Sequence, residues 1–368
     1  MTRLVVLISD APGSGLDARA RALFTRLSDK FAVTPVYHRG NRLERIHHFL
    51  DALRTTRPDV VYIVDPIYAA VAATRLYRAV RRTRIVVDTG DLVCELASEM
   101  GKLGRVELAI VDWAEQTALH MADTIVVRGS FHRDLLIERG FAAVEVIPDG
   151  VDLTQFFPQD VRDWRAGLGL QPRDLVIGML GTINWNYRRQ FCYGWELIEV
   201  LALLRDLPVR GLVVGDGDGI ARLQTRAHRL EITDRVVFAG RKPYAELPQF
   251  INAIDICLLT QPNSRINSVR TTGKLPLYLA CDRCVLASRA GQAARVLPPE
   301  RLLPYDGIGR DEKYPHLLAD RIRALAASRE QLHLNGRAVA LAREHFDYTR
   351  LARKLAEVFA QVISRDAV

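Results

Sequence analysis

Two short segments combine residue types that can hold an anion. Residues Ser264 to Lys274 read SRINSVRTTGK and carry Arg265, Arg270, Thr271, Thr272, Gly273 and Lys274 just ahead of an apolar stretch. A Thr-Thr-Gly turn that feeds a helix with a lysine in its first turn suits a diphosphate. Amide N–H groups, helix macrodipole and a point charge converge there. A cation at that end opposes the bare helix dipole, so Lys274 makes most sense with an anion beside it. The segment from Gly181 to Arg189, GTINWNYRR, sets Arg188 and Arg189 behind a strand's carboxyl end, where the ligand crevice of an α/β sheet lies. Solvated loop charges are the plainer alternative for either arginine.

Two glycine-rich turns complete the inventory. Gly13-Ser14-Gly15 opens a helix and offers backbone N–H groups to an anion or a polar substrate, with a tight turn as the alternative. It is not GxGxxG with an acid at the next strand end, so a nicotinamide cofactor is poorly supported. Gly215-Asp216-Gly217-Asp218-Gly219 also ends a strand and opens a helix, and glycines there let backbone approach a nucleotide closely. Asp216 and Asp218 imitate a metal-binding DxD pair. Turn residues are the better reading, so no metal and no cofactor are expected. Cys281 and Cys284 form a CxxC pair with no second pair and no His at ligand spacing, which reads as core.

The elements that must position these residues alternate. Short apolar runs at Leu4–Ser9, Ala32–Tyr37, Asp59–Val64, Ile85–Asp88, Thr124–Val127 and Val144–Ile147 read as strands. Between most of them lie amphipathic helical stretches, among them Ala18–Lys30, Leu43–Thr55, Ile67–Val80 and Arg105–His120. After a linker around Val151–Arg173 the alternation resumes, with strands at Leu175–Gly181, Val209–Val214, Arg235–Ala239, Ile256–Thr260 and Cys284–Ala287. Apolar strands separated by helices imply parallel sheets covered on both faces. The fold class is therefore α/β, two doubly wound Rossmann-like domains facing across a cleft. A first domain is expected over 1–160 with a returning helix over 348–368, and a second over 172–345.

Composition agrees with this. The 368 residues are 49% hydrophobic and 26% charged with a net charge of +8, which suits a globular protein of two domains. No basic block is interleaved with aromatics, so nucleic acid is not an expected partner. The five cysteines give no disulfide framework, and no window approaches a membrane span. The expected location is cytoplasmic, with peripheral association at an inner membrane as the other option.

Taken together, the segments resemble the GT-B glycosyltransferases, in particular glycosyltransferase family 4, over essentially the whole chain. The markers are Ile147-Pro-Asp149-Gly150-Val-Asp152 with Phe157-Pro158, then Gly215-Asp216-Gly217, Val237-Phe-Ala-Gly240-Arg241, Lys274-Leu-Pro-Leu-Tyr-Leu-Ala280 and Val285-Leu-Ala-Ser288. The ending Glu344-His-Phe-Asp-Tyr-Thr, followed by a helix, resembles the family's crossover helix. The resemblance implies a nucleotide-sugar donor on the second domain and a small-molecule, lipid-linked or glycan acceptor on the first. Gly240 and Arg241 would line the base pocket. Arg188 or Arg189, Lys274 and the amides of Thr271 to Gly273 would hold the diphosphate, with Arg270, Gly13, Gly15, Gly181, Gly215 and Gly217 completing the binding set. Family members retain anomeric configuration without a protein-bound metal, and cations around the departing phosphate supply most of the catalysis.

Three departures stand out. The family's Glu-x7-Glu motif falls on Val269 and Leu277, both apolar, and the active-site His falls on Gly90 within Asp88-Thr-Gly-Asp91. Asp88 or Asp91 is expected to take over part of that role, so Asp91, Arg188 and Lys274 are the expected catalytic residues. The leading expectation is a retaining glycosyltransferase. A sugar-nucleotide epimerase or phosphorylase of the same fold and a catalytically silent binding subunit are the alternatives.

Overall fold

The computed structural model describes residues 1–364; residues 365–368 of the expected terminal helix lie outside the described residues. The chain forms two compact units. One comprises Met1–Gly150 with residues 269–271 and the helix that starts at Tyr348, and the other Val151–Ser268 with Thr272–Asp347.

In the first unit the order is β1 (Thr2–Ile8), α1 (Gly15–Phe24), β2 (Phe31–Tyr37), α2 (Arg42–Thr56), β3 (Val60–Val64), α3 (Tyr68–Val80) and β4 (Arg84–Thr89). It continues with α4 (Val93–Met100), α5 (Arg105–Met121), β5 (Thr124–Val127), α6 (Ser130–Glu138) and β6 (Val144–Val146). The six strands pair in parallel in the order β2-β1-β3-β4-β5-β6. Leu4 to Ile8 and Val60 to Val64 are wholly buried, as continuous apolar runs must be in a sheet covered on both faces. The order reverses between β1 and β3. The loops after these two strands, bearing Gly13 and Asp65, therefore flank the place where a doubly wound sheet binds its ligand.

The second unit begins with α7 (Arg162–Gly167) and runs β7 (Leu175–Leu180), β8 (Trp185–Asn186), β9 (Phe191–Cys192), α8 (Trp195–Leu203), β10 (Val209–Val214), α9 (Ile220–Arg229) and β11 (Val236–Gly240). Then come α10 (Leu247–Asn252), β12 (Ile256–Leu259), α11 (Arg265–Val269), α12 (Lys274–Ala280), β13 (Cys284–Ser288), α13 (Ala293–Val296), β14 (Leu302–Leu303), α14 (Tyr314–Ala327) and α15 (Arg337–Phe346). Its parallel sheet has the order β11-β10-β7-β12-β13-β14, with the reversal between β7 and β12, while β8 and β9 make a separate antiparallel hairpin. The last element among the described residues is α16 (Tyr348–Ser364). Leu351, Leu355, Val358, Phe359 and Val362 recur at helical spacing along it and are buried against Leu4, Val6, Phe24, Phe31 and Tyr62 of the first unit. The Phe359 ring meets Phe31 at 5.3 Å and Tyr62 at 5.8 Å, both edge to face.

Two buried polar centres interrupt these cores. In the first unit the Arg19 guanidinium, 2% exposed, bonds Asp88 Oδ2 at 2.8 Å, the carbonyls of Ile147 and Pro148 at 2.7 Å each, and Asp149 Oδ1 at 3.2 Å. Tyr62 Oη donates to Asp88 at 2.7 Å. Burial pushes the Asp88 carboxyl up, but Arg19 and Arg128 beside it more than offset this and hold it below the ordinary carboxylate value. In the second unit Glu196, buried in the first turn of α8, accepts from Tyr305 Oη at 3.0 Å. Burial pushes its carboxyl up to about 7, with its own amide and Tyr305 only partly opposing.

Each centre gives a prediction. Arg19→Met strands a buried carboxylate and is expected to cost about 3–5 kcal/mol in urea unfolding. Arg3→Met, which breaks a half-exposed pair with Asp59, should cost less than about 1 kcal/mol. Equal losses would show that the buried network is not special. For Glu196 the folded value lies above the unfolded one. Its contribution to stability is therefore fully present below about pH 4.5 and is lost as pH rises to about 7. The wild type should lose on the order of 3 kcal/mol across that window relative to Glu196→Gln; parallel pH profiles of unfolding for the two proteins would contradict it.

Candidate functional site

At the carboxyl end of β7 in the second unit, Leu180 is followed by Gly181, whose φ of 134° few L side chains adopt. A Cβ here would lie 2.3 Å from Lys274 Cε and 2.8 Å from its Nζ, so the glycine makes room for the lysine side chain crossing the strand end. Lys274 Nζ rests 4.1 Å from the centroid of the Tyr193 ring. Tyr278, one turn further along α12, accepts the Leu180 N–H at 2.8 Å and so pins α12 to β7. The sequence-predicted residues Gly181 and Lys274 thus come together at the topological switch point.

Arg188 and Arg189 sit in the turn between β8 and β9. Asn186 Oδ1 accepts the N–H groups of both, at 3.1 and 3.0 Å, and the Asn186 carbonyl accepts the Gln190 N–H at 2.8 Å. Arg188 is exposed and Arg189 half-buried. At the hairpin's base, Trp185 is buried between Trp195, 5.9 Å away, and the Arg222 guanidinium, 4.9 Å from its ring.

The glycine-rich turn after β10 departs from expectation. Its glycines admit the chain itself. A Cβ on Gly215 would stand 1.9 Å from the Gly181 carbonyl oxygen, and one on Gly217 would stand 2.3 Å from that of Ile183. Ile183 N–H donates to the Asp216 carbonyl and Gly219 N–H to that of Ile183, both at 2.8 Å. Gly215 and Gly217 therefore fix the floor of the site and need not touch a ligand. Asp218 Oδ1 accepts the Trp185 N–H at 2.7 Å, which makes it a fastener of the hairpin. Among the described residues no group of three or more His, Cys, Asp or Glu is placed to hold a metal. Arg241 is exposed on the loop after β11, behind Gly240, whose carbonyl accepts the Gly215 N–H at 2.9 Å. Thr272 and Gly273 are half-buried just ahead of Lys274. A cavity of ≈ 320 Å³ lined by Leu175, Asp255, Asp282 and Arg283 lies at the opposite, amino ends of β7, β12 and β13.

In the first unit the expected anion turn is closed internally. Asp17 Oδ2 accepts the Gly13 N–H at 2.6 Å, and its Oδ1 accepts from Tyr37 and Arg21 at 2.7 and 2.8 Å. A carboxylate occupying the turn argues against an anion there, and Gly15 is simply the first residue of α1. Asp88, 1% exposed and paired with Arg19, is structural and closed to the role expected at the absent His. Asp91 is a quarter exposed, with Arg270 Nε at 3.5 Å; Arg270 and Thr271 fall with this unit.

Sequence reading missed Arg128. A Cβ on Gly90 would meet its guanidinium at 2.6 Å, so Arg128 fills the volume that a side chain at position 90 would take. It donates to Asp65 Oδ1 at 3.0 Å and lies 3.6 Å from Asp88 and 3.8 Å from Asp149. Burial pushes the Asp65 carboxyl up; Arg128 opposes this, and Asp88 and Asp91 add to it. An arginine directly after the apolar run of β5 was the available signal. Val269 and Leu277, at the two glutamate positions, are both buried, and Leu277 packs with Leu275 and Leu279 in the core.

Residues 3–150 match the glycosyl transferase 4-like domain, and residues 174–328 match the family described as glycosyl transferases group 1. Among curated proteins, the D-inositol 3-phosphate glycosyltransferase of Segniliparus rotundus is 29% identical over 202 residues, 53% of this chain and 42% of the relative. The 2-deoxystreptamine glucosyltransferase of Streptomyces kanamyceticus is 30% identical over 169 residues, 44% of this chain and 42% of the relative. The matched stretches thus span about two fifths of these relatives' own length, 42% in both cases. Among solved structures, Anabaena HepE in complex with UDP-glucose superposes with a TM-score of 0.76 at 17% identity, over 98% of this chain and all of that one. The sucrose-phosphate synthase of Thermosynechococcus elongatus gives 0.76 at 17% identity, over 99% of this chain and all of that one. These two establish likeness of fold. No helix among the described residues is long and apolar enough to cross a membrane. With both halves matched in chain order on two Rossmann-like sheets, the chain belongs to the group 1 glycosyltransferases of the GT-B fold.

Proposed function

We propose that this chain transfers a glycosyl group, with retention of anomeric configuration, from a nucleotide sugar held by the second unit to an acceptor held by the first. The observation that carries the reading is Lys274 laid across Gly181 at the end of β7, where the switch point of the second sheet lies. Lys274 supplies a fixed positive charge to the donor diphosphate, and Arg188 and Arg189 supply two more from the hairpin beside it. Negative charge grows on the leaving phosphate as the glycosidic bond lengthens, and cations already in place stabilise it without reorganisation. Three cationic side chains can take the part that a divalent ion plays elsewhere, so the reaction is proposed to be metal-independent. UDP-glucose, the ligand of HepE, is the first donor to try.

Removing one such charge costs about 10²–10³ in kcat. Lys274→Ala is expected to lower donor turnover by that factor, measured as nucleoside diphosphate release, with unfolding unchanged. Undiminished release would remove Lys274 from the mechanism. An epimerase, a phosphorylase or a silent binding subunit is separated by what accumulates with wild-type protein: free epimer, sugar phosphate, or neither despite nucleotide binding. The buried Val269 and Leu277 are the observation that favours the silent reading.

The acceptor end carries its own signature. Asp65, Asp88, Asp91 and Asp149 face Arg19, Arg128 and Arg270, so carboxylates exceed guanidiniums, and Asp65 and Asp91 are the more exposed acids. This supports a neutral or cationic polyol as acceptor and disfavours an anionic one. Of the acceptors named in the two relatives, 2-deoxystreptamine fits better than an inositol phosphate. At equal donor concentration, kcat/KM for 2-deoxystreptamine should exceed that for D-inositol 3-phosphate by at least about tenfold, the ratio that 1.4 kcal/mol gives. The reverse order would overturn the charge argument and leave the donor reading standing.

A further inference from the structure

We propose that Asp218 is a positioning residue for the donor diphosphate, acting through the hairpin that bears Arg188 and Arg189; this rests on the donor reading above. The Asp216-x-Asp218 pair has the look of a metal site, yet the structure gives Asp218 a different task. Its Oδ1 accepts the Trp185 N–H at 2.7 Å, at the first residue of β8, and its Oδ2 accepts from Tyr187 Oη at 3.3 Å, one residue before Arg188. One carboxylate therefore grips the base and the tip of the same arm. The arm needs such a grip. β8 and β9 are two residues each, and a two-stranded hairpin of that size is at best marginal in water.

Asp218 is itself held where it must be. Gly217 and Gly219 bring its turn hard against Ile183, where any Cβ would lie 2.3 or 2.8 Å from the Ile183 oxygen, and the Ile183 N–H is bonded to the Asp216 carbonyl. The same residues 181–183 run from the glycine over which Lys274 lies into the hairpin. A single rigid floor thus sets Lys274 directly and the two arginines by way of Asp218. Orientation within a fraction of an ångström is what charge stabilisation of a leaving group requires. Asp218 never touches the phosphate in this scheme; a carboxylate in contact with it would repel.

The test is a double-mutant cycle on the full chain, read as affinity for UDP, GDP, ADP and CDP by calorimetry. Arg188→Ala/Arg189→Ala is expected to weaken whichever diphosphate binds by about tenfold or more, and Asp218→Ala alone by about tenfold. Asp218→Asn, which keeps an acceptor for Trp185 N–H, should recover most of the loss. Asp218→Ala should have no further effect once both arginines are gone. Additive losses, or full affinity in Asp218→Ala, would overturn the proposal while the arginine effect keeps the donor reading. No effect of the arginine pair would overturn the proposal and leave the donor reading to Lys274; no binding of any of the four by wild type would overturn both.

Discussion

Arg19 is the residue around which the first unit closes. A buried guanidinium has five N–H donors in a rigid fork and tolerates burial only where acceptors surround it. Its acceptors come from the end of β4 through Asp88 and from the exit of β6 through the Ile147 and Pro148 carbonyls and Asp149. One side chain on α1 thus gathers two strand ends and the start of the linker. Tyr348, the first residue of α16, is buried and feels the Asp149 charge, so the returning helix begins at the same centre. A hydrophobic cluster could hold these segments near one another. A charged fork with directed bonds specifies one arrangement. Asp88, committed to that task, cannot serve a substrate, and Asp65 and Asp91 are the more exposed acids beside it.

In the second unit the organising constraint is backbone meeting backbone. Gly215 against Gly181 and Gly217 against Ile183 are approaches that no side chain permits. They weld the ends of β7 and β10 into one closely packed backbone floor. Lys274 crosses that surface from α12, and the arginine hairpin stands on it. The glycines and the cations are therefore two parts of one device: the first removes bulk so that the second can be held close. That is the meaning of electrostatic preorganisation at the level of residue choice.

Most of this fold was legible because parallel strands buried on both faces are written as unbroken apolar runs. VVYIV of β3 and ICLL of β12 carry no competing helical period. The elements that escaped lack such a signal for physical reasons. α4 has no fully buried residue, so its apolar face is weakly marked. β8, β9 and β14 are two residues each, too short for any period. α11 and α13, at five and four residues, are single turns. α15 buries only Ala338, Ala342 and Phe346, two of them small, so its apolar face is narrow. At the site, Lys274 and Gly181 were both recognised, yet nothing in the sequence says that they touch across 93 positions of chain. Arg19 and Arg128 were overlooked because their partners lie on other strands. An arginine read alone, in a chain of net charge +8, looks like surface.

The two absent glutamates become intelligible in this frame. Val269 and Leu277 are buried side chains, and Leu277 lies in the same hydrophobic core as Leu275 and Leu279. A carboxylate at either place would require a ligand hydroxyl or a cation to compensate its burial. Apolar residues remove that need and stabilise α12, the helix that carries Lys274. Each lost hydrogen bond to a charged acceptor forfeits about 1.5–3 kcal/mol of donor affinity. In the reading proposed above, the compensation lies at the phosphate end, where Lys274 crosses the glycine floor and Asp218 fastens the hairpin of Arg188 and Arg189. A donor held chiefly by its diphosphate keeps the interactions that strengthen as charge develops in the transition state. It gives up those that bind ground state and transition state alike. Under the proposed donor reading, this exchange would lower affinity for the sugar and ribose while leaving the catalytic contribution in place.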